Sequence, residues 1–286
     1  MANFSIVTNI GALNAQNQLT KTSQGMQNTI ARLSSGLRIN GAKDDAAGLA
    51  IANNLNADVS ALNQAVRNAN DGIGVINTAD AALNETGNLL QRAVTLAEQA
   101  SSGTSGADSG TAKTAINQEY QQILAEIDRI GNTVTFNGQN LLNAASSSVD
   151  VQVGTGNTSN DRVTINLTPS GNGLTATGLG LTTGSATTAL QTASGAQAEL
   201  VKVKSAIDKV SSMRGTIGAA YNRLEHTISV ITVQAENLNS AQSQIRDANV
   251  AEEVVNLTKY QVLNQTGLSA LAQANSSSQS VLSLLR

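Results

Sequence analysis

The sequence predicts a mainly α-helical protein in which long helices pack as an antiparallel coiled coil or bundle, with a small β-hairpin region in the middle of the chain. Three observations lead to this fold class. Apolar residues recur with a seven-residue period on both sides of the middle region. The single proline, Pro169, lies between those two parts, so the flanks lack the residue that most often breaks helices. Aromatic residues make up only 2% of the chain, which disfavours one compact core built on large rings.

The first long helix is predicted over about residues 44–100. From Leu55 to Val94 the apolar residues step by four and three, and only Asp80 and Gly87 interrupt ten apolar residues in twelve heptad positions. Such a narrow stripe is typical of a coiled-coil seam. A Gly/Ser-rich break at 101–110 predicts a loop after this helix.

Two further helices are predicted at about 111–130 and 197–245. The second of them keeps the same phase from Leu200 to Ile245, interrupted only at Arg214 and Gln242. A helix cannot bury such a stripe by itself, so the three helices are expected to pack on one another as a rod rather than around a pocket.

Between residues 132 and 196 the apolar period changes to two. Short strands are predicted at Thr133–Phe136, Val149–Val153 and Val163–Leu167. The segment GTGNTSNDR joins the last two, and its Gly, Thr, Ser and Asn content suits an exposed hairpin loop.

The two ends of the chain carry weaker helical stripes. They lie outside the predicted rod: residues 1–43 and 247–286 are the two terminal segments, and 44–246 form the rod domain. Because the stripes are too broken for a lone helix in water, both ends are expected to be poorly ordered alone and to fold on association. The residues predicted to support this association are Leu19, Met26, Ile30, Leu33, Leu37, Val254, Leu257, Leu268 and Leu271.

Composition argues against several functions. The net charge is −3 with 13% charged residues, so no basic surface for nucleic acid is expected. There is no cysteine and only one histidine, His226, which disfavours metal sites, cofactor sites and a catalytic triad. No apolar run is long enough for membrane insertion, and the first 20 residues do not resemble a cleavable signal peptide.

Two adjacent aspartates raise the question of a chemical site. Asp44 and Asp45 follow an Asn40–Gly41 turn and precede an alanine-rich segment. Adjacent residues of a helix do not face each other, which disfavours a metal or acid–base pair. The stronger interpretation is a helix cap, in which an aspartate accepts backbone N–H groups and interacts with the helix dipole.

Motifs at both ends resemble bacterial flagellin, the subunit of the flagellar filament. The match covers nearly all of residues 1–145 and 197–286, in the same order as in the family. The motifs on the N-terminal side are RLSSGLRIN (32–40), AKDDAAGLAIA (42–52), RNANDGI (67–73), EIDRI (126–130) and FNGQNLL (136–142), and those on the C-terminal side are SQIRDANVAEEV (243–254), QVLNQTGLSALAQAN (261–275) and VLSLLR (281–286).

The resemblance implies a non-enzymatic structural subunit that polymerises into an extracellular helical propeller for swimming. The hairpin-sized middle implies a short form without large outer domains. The termini, residues 1–43 and 247–286, are implied to pair as an inner coiled-coil domain, and the segment with Asn40, Asp44 and Asp45 is implied to be the joint between that domain and the rod. Expected partners are other copies of the chain, an export chaperone on the C-terminal segment, the filament cap and hook-junction proteins. Export through the flagellar type III channel, without a cleavable signal peptide, is also implied.

The resemblance also implies contact with a vertebrate innate immune receptor. The matching positions are Arg92, Leu96, Glu119 and Gln122. Val94 and Ile123 stand where strongly recognised members have arginine.

Other functions remain as alternatives. A flagellar hook-filament junction protein shares the terminal pattern, and periodicity alone also permits a solitary helical bundle. A coiled-coil adhesin would be expected to carry a signal or membrane anchor, and a flagellin with an inserted protease would need a metal motif in the middle region, which contains no histidine.

Overall fold

The structure, a computed structural model, describes residues 9–105, 108, 110–143, 147–168, 173–181 and 189–284. Within these ranges the chain is mainly helical, which confirms the predicted fold class. The helices are α1 (Ile10–Ser35), α2 (Ala46–Ser101), α3 (Thr111–Thr133), α4 (Ala176–Leu179), α5 (Ala193–Arg246) and α6 (Val250–Leu284), and the strands are β1 (Thr135–Phe136), β2 (Gln139–Asn140), β3 (Ser148–Gln152) and β4 (Arg162–Asn166).

The chain divides into two compact units. One consists of Met1–Val59 together with Glu236–Arg286, and the other of Ser60–Ala235. The division therefore falls inside the long helices α2 and α5, well beyond the loops that connect them to the terminal helices.

In the unit that contains both chain ends, α1 and α6 pack side by side and antiparallel. The Asn9 side chain donates to the Ala274 carbonyl at 3.0 Å near one end of the pair, and Arg32 lies 3.4 Å from Glu253 near the other. Gly25 sits beneath the Tyr260 ring, where an added Cβ would lie 2.7 Å from the ring carbons. A glycine at this position lets the helices approach closely.

In the other unit, α2, α3 and α5 supply most of the core. Along the predicted heptad stripes, from Leu62 to Leu90 in α2 and from Val203 to Ile231 in α5, every second position is buried, and the positions between these are mostly half-buried. Asp80 and Arg214, two of the interruptions, lie among the positions in between, where Asp80 is half-buried and Arg214 is exposed. The fully buried positions include Leu62, Ala69, Ile76, Leu83 and Leu90 of α2 and Val203, Val210, Ile217, Leu224 and Ile231 of α5.

Asp80 of α2 and Arg214 of α5 contact each other. The Arg214 guanidinium donates to the two carboxylate oxygens of Asp80 at 2.8 and 3.3 Å, and to Asn84 at 3.2 Å. The two interruptions of separate apolar stripes therefore form one bidentate ion pair across the helices, a polar contact that favours a single register.

Small residues widen the buried face of α2 beyond the narrow seam expected from the heptads. Five alanines outside the stripe, Ala65, Ala79, Ala93, Ala97 and Ala100, are buried. Gly72 faces Val151 of β3, and an added Cβ would lie 2.8 Å from the valine side chain. A face of small side chains allows the neighbouring elements to pack close to the helix.

The predicted hairpin corresponds to β3 and β4, which pair antiparallel from Ser148↔Asn166 to Gln152↔Arg162. The first predicted strand, at 133–136, is shorter than expected: α3 continues to Thr133, and only Thr135–Phe136 form β1. This strand pairs with β2 through a two-residue turn at Asn137 and Gly138, both with positive φ. Asn-Gly is the usual sequence of such a turn.

Candidate functional site: the terminal helix pair and its joint

The joint is formed by the segment that follows α1 and the segment that precedes α6. Leu37 and Asp247 form an antiparallel bridge. The Arg38 N–H donates to the Arg246 carbonyl at 2.7 Å, and the Ala248 N–H donates to Gly36 at 2.9 Å. Residues far apart in sequence are thus joined by backbone hydrogen bonds, which fixes where the two terminal helices begin and end relative to each other.

Arg38 also donates hydrogen bonds to the last backbone carbonyls of α5. Its guanidinium donates to the Ile245 carbonyl at 2.7 Å and to the Gln244 carbonyl at 3.3 Å. The last carbonyls of a helix lack intrahelical partners and carry partial negative charge, so a cation at this position is favourable.

The two adjacent aspartates act on different backbone segments. Asp45 accepts the Gly48 N–H at 2.9 Å and begins α2 as its N-cap. Asp44 instead accepts the N–H groups of Asn40 and Gly41, at 3.0 and 3.2 Å, and so closes the preceding loop. Among the described residues no group of histidines and carboxylates has a metal-binding arrangement.

Exposed apolar side chains concentrate on the terminal helices. Of the thirteen large apolar residues exposed in the described ranges, nine lie on α1 or α6. We call these nine residues the terminal apolar surface: Ile10, Leu13, Ile30, Val250, Val254, Val255, Val262, Leu263 and Leu268.

The residues predicted to support association fall into two groups. Ile30, Val254 and Leu268 are exposed and belong to the terminal apolar surface. The other six are half-buried within the unit: Leu19, Met26, Leu33, Leu37, Leu257 and Leu271. Sequence periodicity missed the exposed residues outside its stripe because a period identifies one face of a helix, whereas α6 is apolar on more than one.

The surface between α1 and α6 also contains a charged contact. The Glu253 side chain is 10% exposed and pairs with Arg32, and its second carboxylate oxygen has no hydrogen-bond partner. Asn249 caps α6 by accepting the Ala251 N–H at 3.1 Å. The early acidic residue Glu253 therefore both interacts with the helix dipole and contacts the opposite helix.

Tyr120 and Asp108, in the unit Ser60–Ala235, have pKa values that a buried neighbour or burial itself shifts. Burial raises the pKa of the Tyr120 hydroxyl, which donates to the buried Glu199 carboxylate at 2.9 Å. A hydrogen bond from the buried Lys113 lowers the pKa of Asp108. Neither group lies beside His226, which is exposed on α5.

The four residues predicted to contact an immune receptor differ in accessibility. Arg92, Glu119 and Gln122 are exposed, and Arg92 pairs with Glu119 at 2.6 Å. The Leu96 side chain is only 1% exposed. Leu96 therefore supports the surface from within, and the accessible side chains are the three polar ones.

The paired termini, the long helices and the terminal apolar surface define the class: a helical structural protein built for association. Residues 6–147 match the family model for the bacterial flagellin N-terminal helical region, and residues 200–285 match the model for the C-terminal helical region. The chain belongs to the bacterial flagellin family. It is a structural subunit of the extracellular flagellar filament, polymerises with copies of itself and, as family membership implies, is not an enzyme.

Curated relatives match over nearly their whole length. A flagellin of Halalkalibacterium halodurans is 39% identical over 97% of this chain and 98% of its own. Flagellin FlaB1 of Treponema pallidum is 37% identical with the same coverage.

Among solved structures, a putative flagellar hook-associated protein from Vibrio parahaemolyticus superposes with a TM-score of 0.55. It is 15% identical and matches over 71% of this chain and 100% of its own. At that identity the likeness shows the fold alone, so it does not favour the junction alternative. No helix in the described ranges is both long and apolar enough to span a membrane.

Proposed function

We propose that the terminal apolar surface is the main contact through which subunits of this chain assemble into the filament. The observation that carries the proposal is the concentration of exposed apolar residues on α1 and α6. Large apolar side chains gathered on the exposed faces of one pair of helices mark an interaction site more often than scattered single ones do. In this proposal the inner domain comprises residues 1–43 and 247–286, and the rod domain 44–246.

The energetics favour this surface. Full burial of a valine contributes about 1.5–3 kcal/mol, so Val255, which is 67% exposed, still has about 1–2 kcal/mol to gain on assembly. Several such residues offset the translational and rotational entropy lost when a subunit joins the filament.

The other expected partners are proposed from the exposure of a few side chains each. The exposed valines of α6 provide a surface that an export chaperone could cover inside the cell, before the chain passes through the type III channel. The filament cap and the hook-junction proteins would then contact the same ends. Arg92, Glu119 and Gln122 are accessible for an immune receptor, in contrast to Leu96.

The test compares two valines of nearly equal exposure. Val255 on α6 is 67% exposed, and Val201 on α5 is 69% exposed and lies outside the terminal helices. Purified Val255→Asp and Val201→Asp chains are mixed with preformed filament seeds, and the protein left in solution after sedimentation gives the critical concentration. Electron microscopy confirms that the pellet contains filaments.

We expect Val255→Asp to raise the critical concentration by at least about tenfold, because 1.4 kcal/mol corresponds to a factor of ten. Val201→Asp should leave it nearly unchanged. Equal critical concentrations for wild type and Val255→Asp would refute the proposal. An equal rise in critical concentration for Val255→Asp and Val201→Asp would refute it as well. Unchanged helical content by circular dichroism excludes unfolding as the cause.

A further inference from the structure

The chain contains three Asn-Gly dipeptides, and the structure places two of them in very different surroundings. Asn40–Gly41 lies in the loop between α1 and α2, and Asn137–Gly138 forms the turn between β1 and β2. The third, at 172–173, begins with a residue outside the described ranges. Asn-Gly is the sequence in which an asparagine most easily reacts with its own backbone, because glycine adds no side chain to hinder the approach.

The reaction has two steps, ring closure with loss of ammonia and ring opening by water. The Gly41 backbone nitrogen attacks the Asn40 side-chain carbonyl carbon and forms a five-membered succinimide. The carbon–nitrogen bond of the side-chain amide breaks and ammonia leaves. Water then opens the ring at either carbonyl and yields aspartate or isoaspartate, so the sum consumes one water and releases one ammonia. The proton on the Gly41 nitrogen has to pass to a base before or during attack.

At Asn40 the structure supplies such a base. The Asp44 carboxylate accepts the Gly41 N–H at 3.2 Å, which is within the distance required of a general base. Asn40 is exposed, and apart from Gly41 itself and its two chain neighbours no heavy atom of the described residues lies within 4 Å of the position where a Gly41 Cβ would be. The attacking nitrogen, its proton acceptor and open space for the ring are therefore present together.

The second site is held in a different geometry. Asn137 and Gly138 have φ values of 48° and 79°, and the turn is closed by the pairing of β1 with β2. A further backbone hydrogen bond joins Leu141 to Val134 at 3.1 Å. Ring closure at Asn137 requires the backbone to leave this turn, so the pairing opposes the reaction.

We propose that Asn40 is a self-modification site, at which the Asp44 carboxylate promotes conversion of Asn40 to aspartate or isoaspartate. The product places a new carboxylate beside Asp44 and Asp45, and isoaspartate also lengthens the backbone by one atom within the joint. Because the filament subunit is extracellular, the modification would accumulate with the age of the filament.

The experiment follows both sites in one sample. The purified full-length chain is held at neutral pH and physiological temperature, digested with trypsin at intervals and analysed by mass spectrometry. Cleavage after Arg38 and Lys43 isolates Asn40 in a short peptide. In the folded chain Asn40 should react at least about ten times faster than Asn137, a difference of about 1.4 kcal/mol in barrier height. In concentrated guanidinium chloride the two rates should become similar.

Two isosteric variants test the role of the carboxylate. Asp44→Asn can still accept a hydrogen bond but is not a base. We expect it to slow the Asn40 reaction by about tenfold or more, which is less than the roughly 10²–10⁴-fold of general bases in enclosed sites because this site is exposed. Asp45→Asn removes the same charge one residue away and keeps a good N-cap, so it should change the rate little. Equal slowing in both variants would overturn the proposed base, and Asn137 reacting as fast as Asn40 in the folded chain would overturn the proposed site.

Discussion

Among the glycines that the structure describes, Gly131 is the one where an added side chain would meet a neighbouring backbone most closely. Gly131 lies in α3, and a Cβ at this position would lie far inside contact distance of the Leu174 carbonyl oxygen. Leu174 cannot simply move away, because its N–H donates to Leu142 at 2.7 Å and the nearby Ala176 N–H donates to Asp128 at 2.7 Å. Gly131→Ala should therefore displace a segment that hydrogen bonds hold in place.

The magnitude follows from two opposing effects. Replacing a glycine inside a helix by alanine stabilises by about 1 kcal/mol. Overpacking typically costs about 1–3 kcal/mol, and weakening each of the two hydrogen bonds adds about 0.5–1.5 kcal/mol. The net prediction for Gly131→Ala is a loss of about 1–5 kcal/mol in the free energy of unfolding.

Gly87→Ala is the matched control. Gly87 lies inside α2, and nothing is within 4 Å of its Cβ position, so the alanine should stabilise by about 1 kcal/mol. Urea unfolding followed by circular dichroism measures both variants against the wild type. A Gly131→Ala chain as stable as Gly87→Ala would refute the packing argument, since it would mean that the Leu174 segment moves without cost.

Two further predictions concern ion pairs of the same unit. In a double-mutant cycle of Asp80→Ala and Arg214→Ala, we expect a coupling free energy of about 0.2–1 kcal/mol, because the pair is bidentate but partly exposed. Urea unfolding measures it, and a coupling of zero would show that the pair does not stabilise one register of α2 against α5. Asp108 has a pKa lowered from 3.8 by Lys113, so its contribution is complete above its unfolded pKa and is lost as the pH falls through the lowered value. Asp108→Asn should therefore be less stable at neutral pH and lose less stability on acidification than the wild type. Parallel pH dependences of the two chains would contradict this.

The long helices were predictable because their signal is repeated many times. The predicted ranges 44–100, 111–130 and 197–245 lie close to α2, α3 and α5, since each adds several turns of the same apolar period. Strands of two residues provide no such repetition, and the pairing of β1 with β2 was therefore missed. Its only local signal is the Asn137–Gly138 turn, and a search for apolar periodicity does not detect turn residues.

The candidate site was predictable to a smaller extent. The sequence indicated that the termini are apolar, but Leu19 and Val255 look alike in sequence although one is half-buried and the other exposed. Likewise, Arg92 and Leu96 lie about one turn apart on α2, and only packing separates the exposed residue from the buried one. Such differences depend on which neighbour covers each side chain.

By itself the sequence determined the helical class, the positions of the long helices and, through its motifs, the family. These depend on local periodicity and on residue order, which are present in the chain before it folds. Only the tertiary structure decided that Asp80 pairs with Arg214, that Asp44 and Asp45 serve different backbone segments, and which apolar residues of α1 and α6 remain exposed. The physical reason is that these contacts join residues distant in the chain or depend on the direction of single side chains, and neither is encoded in a repeating pattern.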